Sequence, residues 1–438
     1  MSAPGLILAA PSSGSGKTVI TLALLRTLRN SGVRIASAKT GPDYIDPAYH
    51  SAASGRTCIN LDAWAMRGDT LAGLAGGLGQ ESDLIICEGV MGLFDGASGG
   101  GGSTADLAAM TGWPVVLIIN ARGQGASAVA LTEGFVRHRP DVAIAGIICN
   151  RVGSSRHERI LREAFAAMDP AIPLLACLPA NPALTLPDRH LGLVQASEHT
   201  ALEPFLDAAG AFIADHIDAA QLQGIARRSQ LPVAAAPVCL PPLGQRVAVA
   251  RDEAFRFCYP AVLDGWRGAG AEILPFSPLA DESPAATADA VYLPGGYPEL
   301  HAGQLAGNQK FLGGLRNAAA AGAAVYGECG GYMVLGDGMV DSDGERHAMA
   351  GLLPVTTSFA ERRLHLGYRR VESLSPSPLG RAGLRFTGHE FHYATILEER
   401  PGAPLFAVSD SRNDPLSPAG RVSGNVAGSF IHLIDSAA

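Results

Sequence analysis

Short apolar runs recur through the first half of the chain, at residues 5–10, 34–38, 84–87, 114–120, 143–150 and 172–178. Between several of them lie stretches with apolar residues at helical spacing, at 19–28, 127–137 and 158–168. Apolar runs without polar alternation suit strands buried on both faces, and their alternation with amphipathic helices predicts a doubly wound parallel α/β sheet. From residue 226 to 245 the chain becomes rich in Ala and Pro and loses periodicity, as in Leu231-Pro232 and Pro241-Pro242. That change marks a linker. Three further strand-like runs follow at 246–250, 272–276 and 290–293, then a fourth that enters a cysteine flanked by glycines. The expected organisation is an α/β domain over 1–225, a linker over 226–245 and a second α/β domain over 246–438.

Composition narrows the partners. A chain of 438 residues with 47% hydrophobic content can bury a core in each of two domains. A formal net charge of −8 offers no global attraction for nucleic acid or an anionic membrane, so a polyanionic substrate must be held by local Lys and Arg. The seven cysteines are scattered without a C-x-x-C pair, which argues against a disulfide framework or a zinc site. No apolar run approaches the roughly 18 residues that span a bilayer, and a cytoplasmic protein is expected.

The first run enters Pro11-Ser12-Ser13-Gly14-Ser15-Gly16-Lys17-Thr18 and then a helical stretch. Strand, glycine loop and helix form a phosphate-binding loop: Ser13, Gly14 and Gly16 bring backbone N–H groups to ATP phosphates, Lys17 reaches the outer phosphates and Thr18 ligates Mg²⁺. Pro11 stands where the usual pattern has Gly. The 84–87 run ends in Glu88, placed as the second Mg²⁺ carboxylate of such a fold. The 34–38 run ends at Lys39-Thr40-Gly41-Pro42-Asp43-Tyr44-Ile45-Asp46-Pro47, with charged groups at the sheet edge where ligands of open α/β sheets bind. Asn150 ends its own run, placed either to read a base edge or to cap a turn. Residues 97–103 are glycine-dense, as a lid or a plain loop, and 186–193 have the polar mixture of a substrate loop.

In the second half, Gly327-Glu328-Cys329-Gly330-Gly331 reads as a nucleophile elbow, whose small neighbours permit a sharp strand-to-helix turn and free the next N–H for an oxyanion. This G-x-C-x-G resembles the class I glutamine amidotransferases, whose cysteine releases ammonia from glutamine. Gly295 and Gly296, with Gly330, are the expected oxyanion-hole donors. His365, His389, His392 and His432 are the candidate bases, and His432 matches the amidotransferase histidine.

Taken together, S-G-x-G-K-T at 13–18, K-x-G-P-D-Y-I-D-P at 39–47, E-G-x-M-G-L-F-D-G at 88–96 and G-E-C-G-G-Y at 327–332 resemble the cobyrinic or hydrogenobyrinic acid a,c-diamide synthases over essentially the whole chain. That resemblance implies a dethiobiotin-synthetase-like P-loop domain joined to a class I glutaminase domain. It implies ATP- and Mg²⁺-dependent amidation of the a and c acetates of a corrin polycarboxylate, with ammonia from glutamine and an acyl phosphate on the way. By the same resemblance Lys17 and Lys39 stabilise the transferring phosphoryl group, Thr18, Asp46 and Glu88 hold Mg²⁺, and Asp43 and Asp95 position substrate and intermediate. Nucleic-acid and membrane partners are not expected, and a homodimer is allowed for. Cobyric acid synthase shares both halves, and a ParA- or MinD-like ATPase shares the first. The 39–47 and 88–96 motifs favour the diamide synthase. One departure concerns the triad: Ile434 stands where class I enzymes carry Glu two residues after the histidine, leaving a Cys329–His432 dyad or another acid, such as Glu390.

Overall fold

The structure is a computed structural model describing residues 3–189, 192–234 and 238–437. His190 and Leu191 of the expected substrate loop, and residues 235–237 of the expected linker, lie outside the described residues. The chain divides into two compact units, one comprising Met1–Trp64, Gly68–Gly96 and Gly101–Ala236, the other Ala65–Arg67, Ala97–Gly100 and Pro237–Ala438.

The first unit is built on seven parallel strands in the order Ile59–Leu61, Ile35–Thr40, Leu84–Glu88, Pro4–Ala9, Val115–Asn120, Ile144–Val152 and Leu174–Pro179. Every residue of Ile35–Thr40 and Leu84–Glu88 is buried, which is why these strands read as continuous apolar runs. Each of the six apolar runs forms a strand whose ends shift by only a residue or two. Leu6, Leu8, Ile86, Val116, Ile118 and Ile148 form one core with Ile20, Leu24 and Leu28 of the helix Lys17–Asn30. The expected linker begins inside this unit: Arg227–Arg228 pairs antiparallel with Pro4 and Gly5, and Gln230 N–H donates to Thr111 O at 2.8 Å.

The second unit carries a ten-stranded sheet. Five neighbouring strands are parallel, in the order Glu272–Phe276, Arg246–Ala250, Ala290–Leu293, Ala324–Glu328 and Val426–Ser429. Antiparallel strands continue it through Pro415–Ser423, Ala403–Ser409, His365–Ser373, Arg385–His392 and His432–Ser436. The hydrophobic pattern predicts the first three parallel strands and the one that enters Cys329, but not the antiparallel continuation. Four of those strands are partly exposed, as in Pro415–Ser423, and the buried fifth, His432–Ser436, is short and interrupted by His432 and Asp435, so no apolar run marks them. Among the described residues no helix is long and apolar enough to cross a membrane, and all seven cysteines are free.

Gly5 shows how closely the first sheet is packed. A Cβ there would meet the buried Trp113 indole at 2.6 Å, and that ring is wedged in the core. Gly5→Ala should therefore destabilise the first unit by about 1–3 kcal/mol, read as an earlier unfolding transition in urea. An unchanged midpoint would show that the indole moves freely.

Candidate active sites

In the first unit the site forms where the parallel strands end. Gly14 (φ +75°) and Gly16 (φ +93°) take left-handed conformations that wrap the loop over the helix start at Lys17. Nothing lies within 4 Å of a Cβ built on Gly14, so this stretch of loop backbone faces open space. Lys17 Nζ donates to Met91 O at 2.5 Å, and burial lowers its pKa. Asn150 supports the loop: its Nδ2 donates to Ser15 O at 2.9 Å and its Oδ1 accepts from Arg151 N–H. That leaves one N–H and one lone pair of the amide for a base. Ser13 is exposed on the loop.

Thr18 Oγ1 lies 2.8 Å from Glu88 Oε1 and 3.5 Å from Asp46 Oδ2. Three hard oxygen donors converging from two helix starts and a strand end suit Mg²⁺. The same carboxylates are bridged by Lys39 Nζ, at 2.5 Å from Asp46 Oδ2 and 2.9 Å from Glu88 Oε1. His50 Nε2 sits 2.6 Å from Glu88 Oε2, so one buried carboxylate meets two basic side chains. Burial alone would raise the Glu88 pKa, but Lys39 and His50 outweigh it and hold the group well below the usual carboxylate range. Burial, aided by Asp43, pushes Asp46 up to about 7 against the pull of Lys39. Asp43 caps the turn into the next helix by accepting from Ile45 and Asp46 N–H, with its other oxygen 3.9 Å from Lys39 Nζ. Asp95 is exposed and accepts from Gly92 N–H at 2.8 Å, shaping the loop after Glu88.

In the second unit Cys329 sits between the strand Ala324–Glu328 and the helix Gly330–Leu335, at φ +48° and ψ −106°. A positive φ on a residue with a side chain is strained, and it is the mark of a nucleophile elbow. The strain is tolerated because the neighbours have no side chains: a Cβ on Gly331 would lie 2.0 Å from Leu293 O, and one on Gly327 would lie 2.7 Å from Gly331 C. Gly295 separates thiol from imidazole. A Cβ there would stand 3.2 Å from Cys329 Cβ and 2.3 Å from His432 Cε1. A Cβ on Gly330 would lie 3.2 Å from Gly296 N, so the two expected suppliers of oxyanion N–H groups are adjacent.

Of the four candidate histidines, His432 is the one beside the nucleophile. His389 faces it across the strand pair, ring centroids 5.0 Å apart, with Nε2 at 2.9 Å from Tyr259 Oη. His392 stacks between His365 and Phe430. Burial, with His389 and His392, lowers the His432 pKa well below its ordinary value, so the ring is neutral and able to accept a proton. Burial also raises the Cys329 pKa. The partly ionised thiol expected of a free cysteine is therefore replaced by a protonated one, and an attack by this sulfur would need a proton acceptor, for which the neutral His432 is placed.

Two carboxylates bear on the acid that Ile434 leaves open. Glu390 is committed to Arg369, at 2.6 Å, and lies 3.8 Å from His392. Glu328 is nearer the base, its Oε2 3.9 Å from His432 Nδ1. It also accepts from Tyr292 O–H at 2.9 Å and from Leu433 N–H at 3.2 Å, which ties the elbow strand to the residue after His432. Burial raises Glu328 to about 7 despite these donors. Its position immediately before Cys329 was the available signal. His50 had none, since only the folded helix brings it to Glu88.

Each half of the chain matches a known domain family. Residues 6–194 match the CobQ/CobB/MinD/ParA nucleotide binding domain, and residues 246–438 match the CobB/CobQ-like glutamine amidotransferase domain. The chain is 54% identical over 433 residues to a hydrogenobyrinate a,c-diamide synthase of Rhizobium meliloti (strain 1021), covering 98% of this chain and 99% of that one. Proteins of the same name from Sinorhizobium sp and Brucella abortus biovar 1 (strain 9-941) are each 53% identical, over 99% and 98% of both chains respectively.

Glu88→Gln removes the negative charge that Thr18, Lys39 and His50 share. Mg²⁺-dependent ATP binding should weaken by tenfold or more, about 1.4 kcal/mol, in calorimetric titrations with and without the ion. Wild-type affinity would show that Glu88 only braces the sheet edge.

Proposed function

Because the chain belongs to the hydrogenobyrinate a,c-diamide synthase family, we propose that it amidates the a and c acetate carboxylates of hydrogenobyrinate in cobalamin biosynthesis, using ATP and glutamine. The observation that carries this reading is the coexistence, in one chain, of an elbow cysteine beside a neutral histidine and a phosphate loop beside three oxygen donors. The relatives' name favours the cobalt-free corrin and the diamide reaction over cobyric acid synthesis. ATP as co-substrate favours a cytoplasmic setting, and a homodimer is the assembly to look for by light scattering.

In the glutaminase half, the Cys329 sulfur attacks the glutamine amide carbon as its proton passes to His432. The N–H groups around Gly295, Gly296 and Gly330 meet the developing oxyanion. His432 returns the proton to the leaving nitrogen, so ammonia departs and a thioester remains. Water then cleaves the thioester to glutamate, with His432 taking and returning the proton again.

In the synthetase half, Mg²⁺ held by Thr18, Asp46 and Glu88 would supply charge neutralisation for the triphosphate. Lys17 and the loop N–H groups orient the phosphates, and Lys39 carries positive charge towards the transferring phosphoryl group. The corrin carboxylate oxygen takes the γ-phosphoryl group and ADP leaves. Ammonia then attacks the acyl carbon and releases phosphate, giving the amide. Asp43 and Asp95 line the loops on which substrate and intermediate would rest.

Purified protein incubated with ATP, glutamine and hydrogenobyrinate should yield the monoamide and then the diamide by mass spectrometry. Turnover of cobyrinate instead would move the substrate assignment to the cobalt-bearing corrin. Cys329→Ala should lose glutamine-driven amidation while keeping amidation from free ammonium; retained glutaminase activity would end the nucleophile assignment.

The base and acid separate in the same assay. His432→Ala should lose glutamine hydrolysis nearly as fully as Cys329→Ala, whereas Glu390→Gln should keep at least about a tenth, a barrier change of about 1.4 kcal/mol or less. A loss near 10⁴-fold in Glu390→Gln, the order seen when a serine triad loses its aspartate, with ammonium-driven synthesis intact, would make Glu390 the missing acid.

A further inference from the structure

The glutaminase half holds a buried carboxylate that the chemistry above does not use. Glu299 lies in the short turn Pro298–His301, directly after Gly295-Gly296-Tyr297, and is 8% exposed. The turn packs on the elbow helix: a Cβ on Gly330 would meet Pro298 Cδ at 2.7 Å. A Cβ on Gly295 would stand 3.2 Å from Cys329 Cβ, so the segment that carries Glu299 runs past the reacting residue on both sides of Gly296, and Glu299 is among the groups that raise the Cys329 thiol.

Among the described residues the Glu299 carboxylate has no ion pair, and burial raises it to about 7. An isolated buried carboxylate is costly unless a cation arrives to compensate it. Here a buried carboxylate with no ion pair among the described residues stands in the turn beside the nucleophile, which is the complement of a substrate's ammonium group.

We propose that Glu299 receives the α-ammonium of glutamine, so that this turn selects the free amino acid while Cys329 works on the carboxamide. The assignment rests on the glutaminase reading. Glu299 is then a specificity residue rather than a cap of its own turn, and Gln, which keeps the shape and the local hydrogen bonding, separates the two roles.

The test compares glutamine with 4-carbamoylbutanoate, which has the same carboxamide but lacks the α-amino group, as substrates of the full-length enzyme. Wild type should prefer glutamine by about 100-fold or more in kcat/KM. Glu299→Gln should raise KM for glutamine by tenfold or more, keep kcat within a few-fold and leave 4-carbamoylbutanoate hydrolysis unchanged, so that the preference collapses. Glu299→Asp should recover part of the preference. Equal losses on both substrates, or an unchanged glutamine KM, would overturn the assignment and leave Glu299 structural. Ammonium-driven amidation by each variant reports folding. If wild type hydrolyses neither carboxamide while ammonium-driven amidation proceeds, the glutaminase reading itself falls, and Glu299 loses its role with it.

Discussion

Each unit places a buried carboxylate at the carboxyl end of a parallel strand, and the way that charge is compensated decides what the surrounding site can do. Glu88 is met by Lys39 at 2.9 Å and His50 at 2.6 Å, and these cations keep it ionised against burial. Glu328 is met by a tyrosine hydroxyl and a backbone N–H, neutral donors that do not outweigh burial, and its pKa rises to about 7. The same residue type in the same topological place thus becomes a permanent anion in one unit and a titrating group in the other. Environment, not identity, assigns the role.

The division between what was legible in the sequence and what was not follows the same physics. Parallel strands buried on both faces write themselves as apolar runs, and the phosphate loop, Glu88 and the Cys329 elbow stand at the ends of such runs, so their position is a local property of the chain. Local patterns do not encode cross-strand partners. His50 reaches Glu88 across 38 positions and Glu328 reaches Leu433 across 105, and nothing near either residue announces the meeting. Most of the antiparallel part of the second sheet was hidden for a related reason, since partly exposed strands carry no continuous apolar signature.

The nucleophile illustrates how burial revises a reading made from residue type. An ordinary thiol is a few per cent ionised near neutrality, which would leave the histidine an auxiliary. Cys329 is 4% exposed with carboxylates nearby, and His432 is 1% exposed among other imidazoles, so both groups rest uncharged. Charge separation is then confined to the reacting complex, where oriented N–H groups receive it. A neutral resting pair also spares the second unit an ion pair in its core, which would be costly to desolvate.

The bridge that Lys39 makes between Asp46 and Glu88 has a consequence for the proposed Mg²⁺ site when no ion is bound. Sites built only from carboxylates repel themselves when the ion leaves, and many small metal-binding folds come apart under chelation for lack of any other counter-charge. Here an ammonium group already sits between the acids, so the emptied centre stays neutralised from within. Loss of an ion from such a site would leave the sheet edge intact, so metal supply and folding would be uncoupled.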